Sequence, residues 1–353
     1  MKVAVLMGGT SDEREVSLAS GVQIASALRT AGYEVMAVDT VSGVLPPEHE
    51  RALHERGVSA LPPSLDELAW MDEGATIELT RSPELADVDV FFVALHGGHG
   101  EDGTIQALLE VAGVAYTGSD RLGCSLAMDK EVTKRLLRDC GVPTPDWRAV
   151  DVDGAMPDAA DIERALGLPV IVKASGGGSS LRLVLAHDRP ELERAIGESS
   201  TWHDAVLFER YHAGRELTVG IVGGRAYPVG EIVPRNEIFD YECKYQSGMA
   251  DEIFPADIPA DWSERLQELA LRVHRALRMR DYSRIDFIVD ADGEPWCLEA
   301  NALPGMTANS LLPRAARAAG VDFPDLCATL VESAARRGQR RTVQEPGHEP
   351  GVR

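Results

Sequence analysis

The chain has 353 residues, 44% of them hydrophobic and 26% charged, which is typical of a globular protein with two or three domains. The net charge of −22 argues against a general nucleic-acid binder and against an anionic membrane surface, so we expect neither partner. Five scattered cysteines without a CxxC pair, no apolar run of about 20 residues and no signal-like N-terminus predict a cytoplasmic protein without disulfides or zinc.

Residues 1–120 are predicted to form an open parallel sheet. Val3–Met7 is a short buried strand, and a Gly8-Gly9 turn connects it to an amphipathic helix. Asp89–Leu95 is a further buried strand that runs into a Gly-rich loop beginning at His96. Loops at the carboxyl ends of parallel strands are where such sheets bind ligands, so His96 is a candidate binding residue.

Residues 41–86 interrupt this first unit. They are rich in Pro, Glu and Ser and have weak periodicity, so we predict an irregular insertion around short helices. The pattern assigns no function to the insertion.

Two charged helix residues are candidates as well. Glu15 lies in the first turns of the first helix, where a solvated acidic side chain facing the helix dipole is the alternative to a binding role. Lys130 lies on a helix predicted over Ser125–Asp139, and a solvated lysine is again the alternative.

The central unit, residues 121–212, contains a Gly-rich loop between two strands. The strands are Leu168–Lys173 and Leu181–Ala186, and Ala174–Ser180 joins them. The loop is not a Walker P-loop, because no helix follows it. Its backbone N–H groups could still wrap a phosphate, with Lys173 beside them, and the alternative is a flexible hairpin tip.

A hairpin over Arg284–Asn301 dominates the third unit, residues 213–335. Asp292-Gly293 predicts a two-residue turn, because a type I′ turn needs positive φ at both central residues. This turn places Asp286 opposite Glu299 and Arg284 opposite Asn301 on one face of the hairpin. It also places Val289 opposite Trp296 and assigns an apolar core face to Phe287, Val289, Trp296, Leu298 and Ala300.

The polar face of this hairpin is suited to a divalent cation. Two opposed carboxylates repel each other, and carboxylate and amide oxygens are the ligands that Mg²⁺ prefers. A Mg²⁺–nucleotide site is therefore predicted, and a solvated face with an Arg–carboxylate pair is the alternative. The turn after the hairpin, with Gly305 and Ser310 before an apolar helix, predicts a carboxylate-binding helix N-terminus.

Seven motifs follow one another in the order found in the D-alanine–D-alanine ligases, which belong to the ATP-grasp superfamily. The chain resembles this family from residue 1 to residue 333, outside the 41–86 insertion. The motifs are VAVLMGGTSDEREVSLASG, ALHGGHGEDGTIQ, YTGS with SLAMDK, LPVIVKASGGGSS, FDYECKY, SRIDF and LEANALPGMTANSL.

The resemblance implies a fold and four regions. The fold is α/β, an ATP-grasp fold preceded by an open parallel-sheet domain. The regions are an N-terminal substrate domain at 1–120, a central ATP-binding lid domain at 121–212, a C-terminal domain with the metal site and a mobile ω-loop at 213–335, and a disordered tail at 336–353.

The resemblance also implies residue roles. ATP contacts would come from Lys130, Lys173, Ser180, Glu209, Arg210, His212, Glu216 and Lys244. Two Mg²⁺ ions, with Mn²⁺ as an alternative, would be held by Asp286, Glu299 and Asn301. Glu15 and His96 would hold the first D-alanine, Ser310 and Leu311 would position the second, and Arg284 with Gly305 would stabilise the oxyanion. Tyr245 on the ω-loop would close the site with Ser179 and Glu15.

The implied reaction is ATP-dependent joining of two D-alanines through a D-alanyl phosphate, for peptidoglycan precursors, by a homodimer. Tyr245 predicts dipeptide rather than depsipeptide synthesis. Ala174 and Arg182 depart from the usual Pro and Gly, which puts lid motion and nucleotide affinity in question. The alternatives are a ligase with another second substrate, such as D-serine, D-lactate or another amino acid, and a nucleotide-binding module without activity.

Overall fold

The computed structural model describes residues 1–56, 82–178, 182–239, 243 and 248–344, with only the backbone described over 339–344. Its strands are β1 Lys2–Met7, β2 Glu34–Asp39, β3 Gly43–Val44, β4 Val90–Val93, β5 Trp147–Val150, β6 Val170–Ala174, β7 Leu183–Ala186, β8 Val206–Arg210, β9 Arg215–Val222, β10 Arg225–Ala226, β11 Gly230–Pro234, β12 Ala250–Ile253, β13 Tyr282–Val289 and β14 Pro295–Asn301. Its α-helices are α1 Arg14–Thr30, α2 Pro47–Arg56, α3 Thr104–Val111, α4 Arg121–Met128, α5 Lys130–Asp139, α6 Ala159–Leu166, α7 Arg189–Ser199, α8 Ala260–Ala276, α9 Leu311–Ala318 and α10 Phe323–Gln344. Among the helices described, none is both long and apolar enough to cross a membrane.

The first sheet has the order β3-β2-β1-β4, and β1 pairs in parallel with both β2 and β4. The predicted open parallel sheet is therefore confirmed for this part of the chain. Because β1 and β4 are neighbours, the loops that follow them lie side by side at the carboxyl edge. The described part of the 41–86 insertion contains the short antiparallel edge strand β3 and the helix α2, which has no buried residue.

The central sheet has the order β5-β8-β6-β7, with antiparallel neighbours and a hydrophobic core of its own. The helices α4 and α5 were predicted to belong to this unit, but their buried residues pack elsewhere. Cys124, Ala127 and Leu137 join the core of the third sheet, which also contains Leu266 and Val273 of α8. The amphipathic faces of α4 and α5 find their apolar partner there, so the separate central core begins only near β5.

The third sheet has the order β12-β11-β9-β13-β14, and β10 also pairs with β9. Asp286 on β13 lies opposite Thr218 of β9 on one side and opposite Glu299 of β14 on the other. Arg284 lies opposite Asn301. The predicted register of the hairpin is therefore confirmed at the polar residues that led to the metal hypothesis.

The predicted two-residue turn at the tip of this hairpin is wrong. Val289 pairs with Pro295 rather than with Trp296. The Asp290 carboxylate accepts two backbone N–H groups of the turn, at 3.0 and 2.9 Å, and Gly293 takes the left-handed conformation at φ 81°. Asp290 thus closes a longer turn, because its carboxylate accepts the N–H of the residue two positions later. This is a common use of Asp in turns.

A register shift after Asp286 compensates for the longer turn, and it changes which residues reach the core. Cys297 is fully buried, whereas Leu298 lines the cleft described below. Trp296 stacks on His212 at 4.1 Å between ring centroids. The prediction that Trp296 and Leu298 belong to the core is therefore wrong, because a bulge adds one residue to one strand and turns the following side chains to the other face.

The C-terminal helix α10 continues to Gln344, whereas disorder was predicted from Arg336 onward. Arg337 forms an ion pair with Asp281 and donates to the Tyr116 carbonyl at 2.8 Å, which holds this turn of the helix against the protein. The buried residues of α10 join the core of the first sheet: Leu326, Cys327, Leu330, Val331 and Ala334. The rest of the predicted tail, 345–353, lies outside the described residues.

Candidate active site

A cleft of about 580 Å³ opens where the three sheets meet, a size typical of small-molecule sites. Nine of the fifteen predicted site residues that the structure describes line it: Lys130, Lys173, Glu209, Arg210, His212, Glu216, Arg284, Asp286 and Glu299. Asn301 lines a small adjoining cavity together with Glu299 and Lys130. These residues come from separate parts of the sequence, so the fold brings them together.

The Gly-rich loop after β6 forms one wall of the cleft, against the first turn of α5. The Lys130 ammonium donates to the Gly177 carbonyl at 2.6 Å, and the Lys130 backbone N–H donates to Ser175 at 3.2 Å. Glycines at 176–178 leave the backbone open to the cleft. Cationic side chains beside such a backbone are suited to bind phosphate.

A buried row of alternating charges stands behind this wall. Glu209 on β8 is almost fully buried. One of its carboxylate oxygens forms an ion pair with the Lys173 ammonium, at 2.6 Å. Its other oxygen pairs with Lys134, which does not line the cleft. Burial alone would raise the pKa of the Glu209 carboxyl, but the two lysines offset burial and hold that pKa below its ordinary value.

A flat aromatic surface lies at the end of β8. The His212 ring stacks on Trp296, and burial lowers the pKa of the imidazole, which Arg210 lowers further. The buried His212 Nε2 has no hydrogen-bond partner within the described residues. A neutral stacked ring with an unused nitrogen is suited to contact the edge of a heterocyclic base.

The opposite wall carries the polar face of the β13–β14 hairpin. Asp286 is buried, and its carboxylate accepts from Thr218 Oγ1 at 2.7 Å, from Arg284 Nη2 at 2.8 Å and from Asn301 Nδ2 at 3.0 Å. Glu299 stands opposite Asp286 on the neighbouring strand. These bonds fix Asp286 before any ligand binds.

The donor set of this wall fits a hard divalent cation. Within the described ranges, no three His, Cys, Asp or Glu side chains gather into a metal-binding group. A cation held at Asp286 and Glu299, with the Asn301 amide nearby, therefore takes its remaining ligands from water and phosphate. Mg²⁺ is usually bound in this way.

Glu13 and its neighbour Asp12, rather than the predicted Glu15, are the acidic residues at the start of the first helix that line the cleft. A Cβ atom added at Gly97 or at Gly178 would stand 2.6 Å from Glu13 Oε2, so both Gly-containing loops close around this carboxylate. Glu15 instead pairs with Arg56 of α2, away from the cleft. The prediction for Glu15 is corrected because the first turn of α1 points the two side chains in different directions.

His96 does not line the cleft either. It is buried, with Nδ1 3.1 Å from the Leu303 carbonyl and 3.4 Å from Glu101 Oε1, and with Nε2 3.2 Å from Ser20 Oγ. An Nδ1–H that donates to Leu303 and an Nε2 that accepts from Ser20 satisfy both ring nitrogens. His96 thus connects the first sheet to the loop that follows β14.

That loop contains the predicted residues Gly305, Ser310 and Leu311, which lie outside the lining of the cleft. Ser310 is the residue directly before α9, and its Oγ accepts from the Thr307 N–H at 3.0 Å. Leu311 is buried, and Gly305 is half-buried near Ser310 Oγ. The loop is held from the first domain as well, where Gln23 Oε1 accepts from the Ala308 N–H at 2.9 Å.

Four predicted residues lie outside the described part of the chain: Ser179, Ser180, Lys244 and Tyr245. Three further residues take part in the site, although their sequence positions were not singled out: Glu13, Lys134 and Thr218. For Lys134 a signal existed, because it follows Lys130 by four residues and so shares its helix face. For Thr218 the sequence carried no signal, since its role depends on the pairing of β9 with β13.

Comparison with known proteins shows which family the chain is similar to. A family model described as the D-ala D-ala ligase N-terminus matches residues 2–119, and one described as the C-terminus of the same ligase matches residues 136–332. The D-alanine–D-alanine ligase of Desulforudis audaxviator is 40% identical over 340 residues, which cover 95% of this chain and 99% of that protein. The ligase of Pelotomaculum thermopropionicum is 38% identical over 342 residues, which cover 95% of this chain and 96% of that protein.

Solved structures of D-alanine–D-alanine ligases also match this chain. The crystal structure of D-alanine–D-alanine ligase from Bacillus anthracis matches with a TM-score of 0.75 and 31% identity, over 97% of this chain and 99% of that one. The structure of the same enzyme complexed with ATP matches with a TM-score of 0.74. The ligase from Coxiella burnetii matches with a TM-score of 0.78 and 27% identity, over 97% of this chain and 96% of that one.

Proposed function

The chain belongs to the D-alanine–D-alanine ligase family, and we propose that its cleft joins two D-alanines to D-alanyl-D-alanine with cleavage of ATP. The predicted α/β ATP-grasp fold is confirmed, because the chain matches solved ligases of this family over 97% of its length. The product is the dipeptide from which peptidoglycan precursors are built. ATP and a divalent metal ion belong to the reaction of this family.

One observation carries the proposal: a single cleft contains a basic wall, a carboxylate wall and a separate, partly buried carboxylate. The basic wall has Lys130, Lys173 and the Gly-rich loop, and the carboxylate wall has Asp286 and Glu299. A triphosphate with its metal needs both walls. Glu13, at the junction of two loops, supplies an anion that suits the ammonium group of an amino acid.

The first step activates a carboxylate, which is a poor electrophile. A carboxylate oxygen of the first D-alanine forms a bond to the γ-phosphorus, and the bond from that phosphorus to the β-phosphate oxygen breaks, so ADP leaves. We assign Lys130 and Lys173 to the phosphates and Glu13 to the ammonium of this D-alanine. Catalysis of such a transfer rests mainly on positioning and on stabilisation of charge.

In the second step the amine of the other D-alanine attacks the acyl phosphate. The tetrahedral oxyanion collapses, its bond to the phosphate oxygen breaks, and the amine nitrogen loses a proton. We assign Arg284 and the Gly305 backbone to the oxyanion, and Ser310 with Leu311 to the second D-alanine. His96 would act by holding the Leu303 carbonyl, and so the loop that leads to Gly305, in place.

The divalent ion supplies charge neutralisation on the phosphates. We propose Asp286, Glu299 and Asn301 as its protein ligands, with two Mg²⁺ ions bound during turnover and Mn²⁺ as a substitute. The roles in closing the site and in contacting ATP stay assigned to Ser179, Ser180, Lys244 and Tyr245. Contacts to the adenosine of ATP stay assigned to Glu209, Arg210, His212 and Glu216.

We expect phosphate release from ATP and Mg²⁺ only when D-alanine is present, with one D-alanyl-D-alanine formed for each phosphate. The measurement is a coupled phosphate assay with mass spectrometry of the product. Parallel reactions pair D-alanine with D-serine or D-lactate, and the dipeptide should dominate them. Phosphate without dipeptide would indicate another second substrate, and ATP binding without turnover under any pairing would leave a nucleotide-binding module.

Arg182 should strengthen ATP binding, although the family usually has Gly at this position. Its exposed side chain lines the cleft and makes no hydrogen bond or ion pair with the described residues. We expect Arg182→Gly to raise the KM for ATP about 1.5- to fivefold, because a solvent-exposed ion pair contributes roughly 0.2–1 kcal/mol. The kcat should change little, and the difference in KM should shrink in high salt.

Arg182→Lys is the matched variant, because it keeps the charge on a side chain of similar length. Steady-state kinetics at low and high ionic strength should place its KM for ATP near that of the unmodified protein. An unchanged KM in Arg182→Gly at low salt would show that Arg182 does not contact the phosphates.

We further propose a cytoplasmic homodimer. The resemblance in sequence supports the dimer, and five free cysteines are in keeping with a reducing compartment. Light scattering after size-exclusion chromatography measures the mass directly, and a peak at the mass of one chain would exclude the dimer.

A further inference from the structure

Lys134 is among the most deeply buried charged side chains that the structure describes, with 1% of its surface exposed. Its ammonium donates to Thr144 Oγ1 at 2.7 Å and to the Pro145 carbonyl at 3.0 Å, and it forms an ion pair with one oxygen of Glu209. These three partners hold the ammonium inside the protein. Lys134 does not line the cleft, so it does not contact a ligand bound there.

Lys173 differs from Lys134 in both respects. It lines the cleft, and Glu209 is the partner of its ammonium within the described part of the chain, at 2.6 Å. Glu209 stands between the two lysines and gives one oxygen to each. The three side chains form a continuous row from the interior to the cleft wall, with two positive charges and one negative charge.

The inner end of this row is fixed to the rest of the protein. The Thr144 hydroxyl, which accepts from Lys134, donates to the Cys297 carbonyl at 2.8 Å. Cys297 lies on β14, two residues before Glu299. The Lys134 ammonium also lies 5.3 Å from the centre of the Trp147 ring on β5. Lys134 thus holds Glu209 from a point connected to two sheets.

The row has a consequence for Lys173. A buried carboxylate needs compensating charge, and breaking a buried ion pair leaves an uncompensated charge behind. With Lys134 present, Glu209 is neutralised from the interior, and the positive charge of Lys173 remains for the cleft. Without Lys134, Lys173 is the cation that remains paired with Glu209 among the described residues, and Glu209 draws it away from a bound phosphate.

We propose that Lys134 is a positioning residue for the nucleotide: by pairing with Glu209 from the interior, it leaves Lys173 available to the phosphates of ATP. This inference rests on the proposed function, because it takes the bound phosphates to be those of ATP. It adds a residue that touches no substrate, and it gives a reason for a lysine at a fully buried position.

The test measures binding of the ATP analogue adenosine 5′-(β,γ-imido)triphosphate with Mg²⁺, by isothermal titration calorimetry and without D-alanine. Lys134→Met should raise the Kd by about tenfold, within the range of coupling between residues that share one charge network. The KM for ATP should rise in parallel, and the KM for D-alanine should stay within about twofold. A residue that only stabilises the fold would lower the melting temperature and leave both ATP constants unchanged.

A double-mutant cycle tests whether Lys134 acts through Glu209. In a Glu209→Gln background no carboxylate is left to draw Lys173 inward, so adding Lys134→Met should change the Kd by less than about twofold. Arg135→Met is the matched control, because it removes a positive charge from the next residue of the same helix. Arg135 is exposed and pairs with Glu131 at the surface, so the Kd of the Arg135→Met variant for the ATP analogue should equal that of the unmodified protein.

Lys134→Gln, which keeps an N–H donor for its partners, provides the same comparison if the methionine variant does not fold. An unchanged Kd in a folded Lys134 variant would overturn the proposal, and so would a Lys134 effect that persists in the Glu209→Gln background. Failure of the proposed function would be seen separately. It would appear as absence of D-alanine-dependent phosphate release in the unmodified protein, whereas the binding measurement does not depend on turnover.

Discussion

Replacing Glu13 with glutamine is expected to lower kcat/KM for D-alanine by about 100-fold, which corresponds to about 2.7 kcal/mol of transition-state stabilisation. The Glu13 carboxylate lines the cleft, and glycines at 97 and 178 are the residues that let two loops close around it. A charge-assisted hydrogen bond contributes roughly 1.5–3 kcal/mol, and an ammonium held there would lose its counter-charge. Phosphate release measured against D-alanine concentration, at saturating ATP, gives the value.

Glu15→Gln is the matched control, since it makes the same change two residues away. Glu15 pairs with Arg56, whose side chain is more than half exposed, and a pair of this kind contributes roughly 0.2–1 kcal/mol. We expect kcat/KM for Glu15→Gln to stay within about threefold of the unmodified protein. A larger loss in Glu15→Gln than in Glu13→Gln would return the substrate role to Glu15.

The choice between these two glutamates shows where reasoning from sequence ends. Both lie near the start of the first helix, and both were compatible with a site at the end of β1. What separates them is the neighbouring loop after β4, because Gly97 approaches Glu13 only when β1 and β4 are adjacent. The insertion also matters, since Arg56 of α2 is the partner of Glu15. Neither contact can be read from residues 1–20.

The carboxylate wall was predicted more fully, although part of the reasoning behind it was wrong. Strand alternation placed Asp286 opposite Glu299, and this pairing is observed. The turn, however, is longer than predicted, because Asp290 bonds its backbone, and a bulge near Leu298 restores the register. Turn chemistry alone could not reveal the bulge, whose effect appears in the side chains of Trp296, Cys297 and Leu298.

Domain boundaries were the least accessible from the sequence. The helices α4 and α5 precede the central sheet in the chain but pack on the third, and α10 follows the third sheet but packs on the first. An amphipathic helix shows that it has an apolar face, but its sequence does not show which sheet that face covers. The motifs could be found because each one is a short stretch of sequence. The packing of the helices on the sheets could not, because it depends on contacts between distant parts of the chain.

Asp286→Asn is expected to lower kcat/KM for ATP by at least about 1,000-fold, or about 4 kcal/mol, and to remove the high-affinity binding of divalent metal. The carboxylate of Asp286 accepts from Thr218, Arg284 and Asn301 at once. An asparagine there presents an N–H₂ group to donors that need an acceptor, and it loses the charge that a cation requires. Mn²⁺ titration followed by electron paramagnetic resonance measures metal binding without turnover.

Asp290→Asn separates this effect from general damage to the hairpin. Asp290 lies at the far end of β13, where its carboxylate closes the turn and accepts from Trp296 Nε1 at 2.9 Å. This variant should lower the melting temperature and leave the Mn²⁺ affinity within about twofold, because none of the proposed metal ligands is changed. Asp286 is buried beside Arg284, so its variant is checked for folding, and Glu299→Gln provides a second test at the more accessible carboxylate. Mn²⁺ affinity near that of the unmodified protein in both Asp286→Asn and Glu299→Gln would place the metal elsewhere.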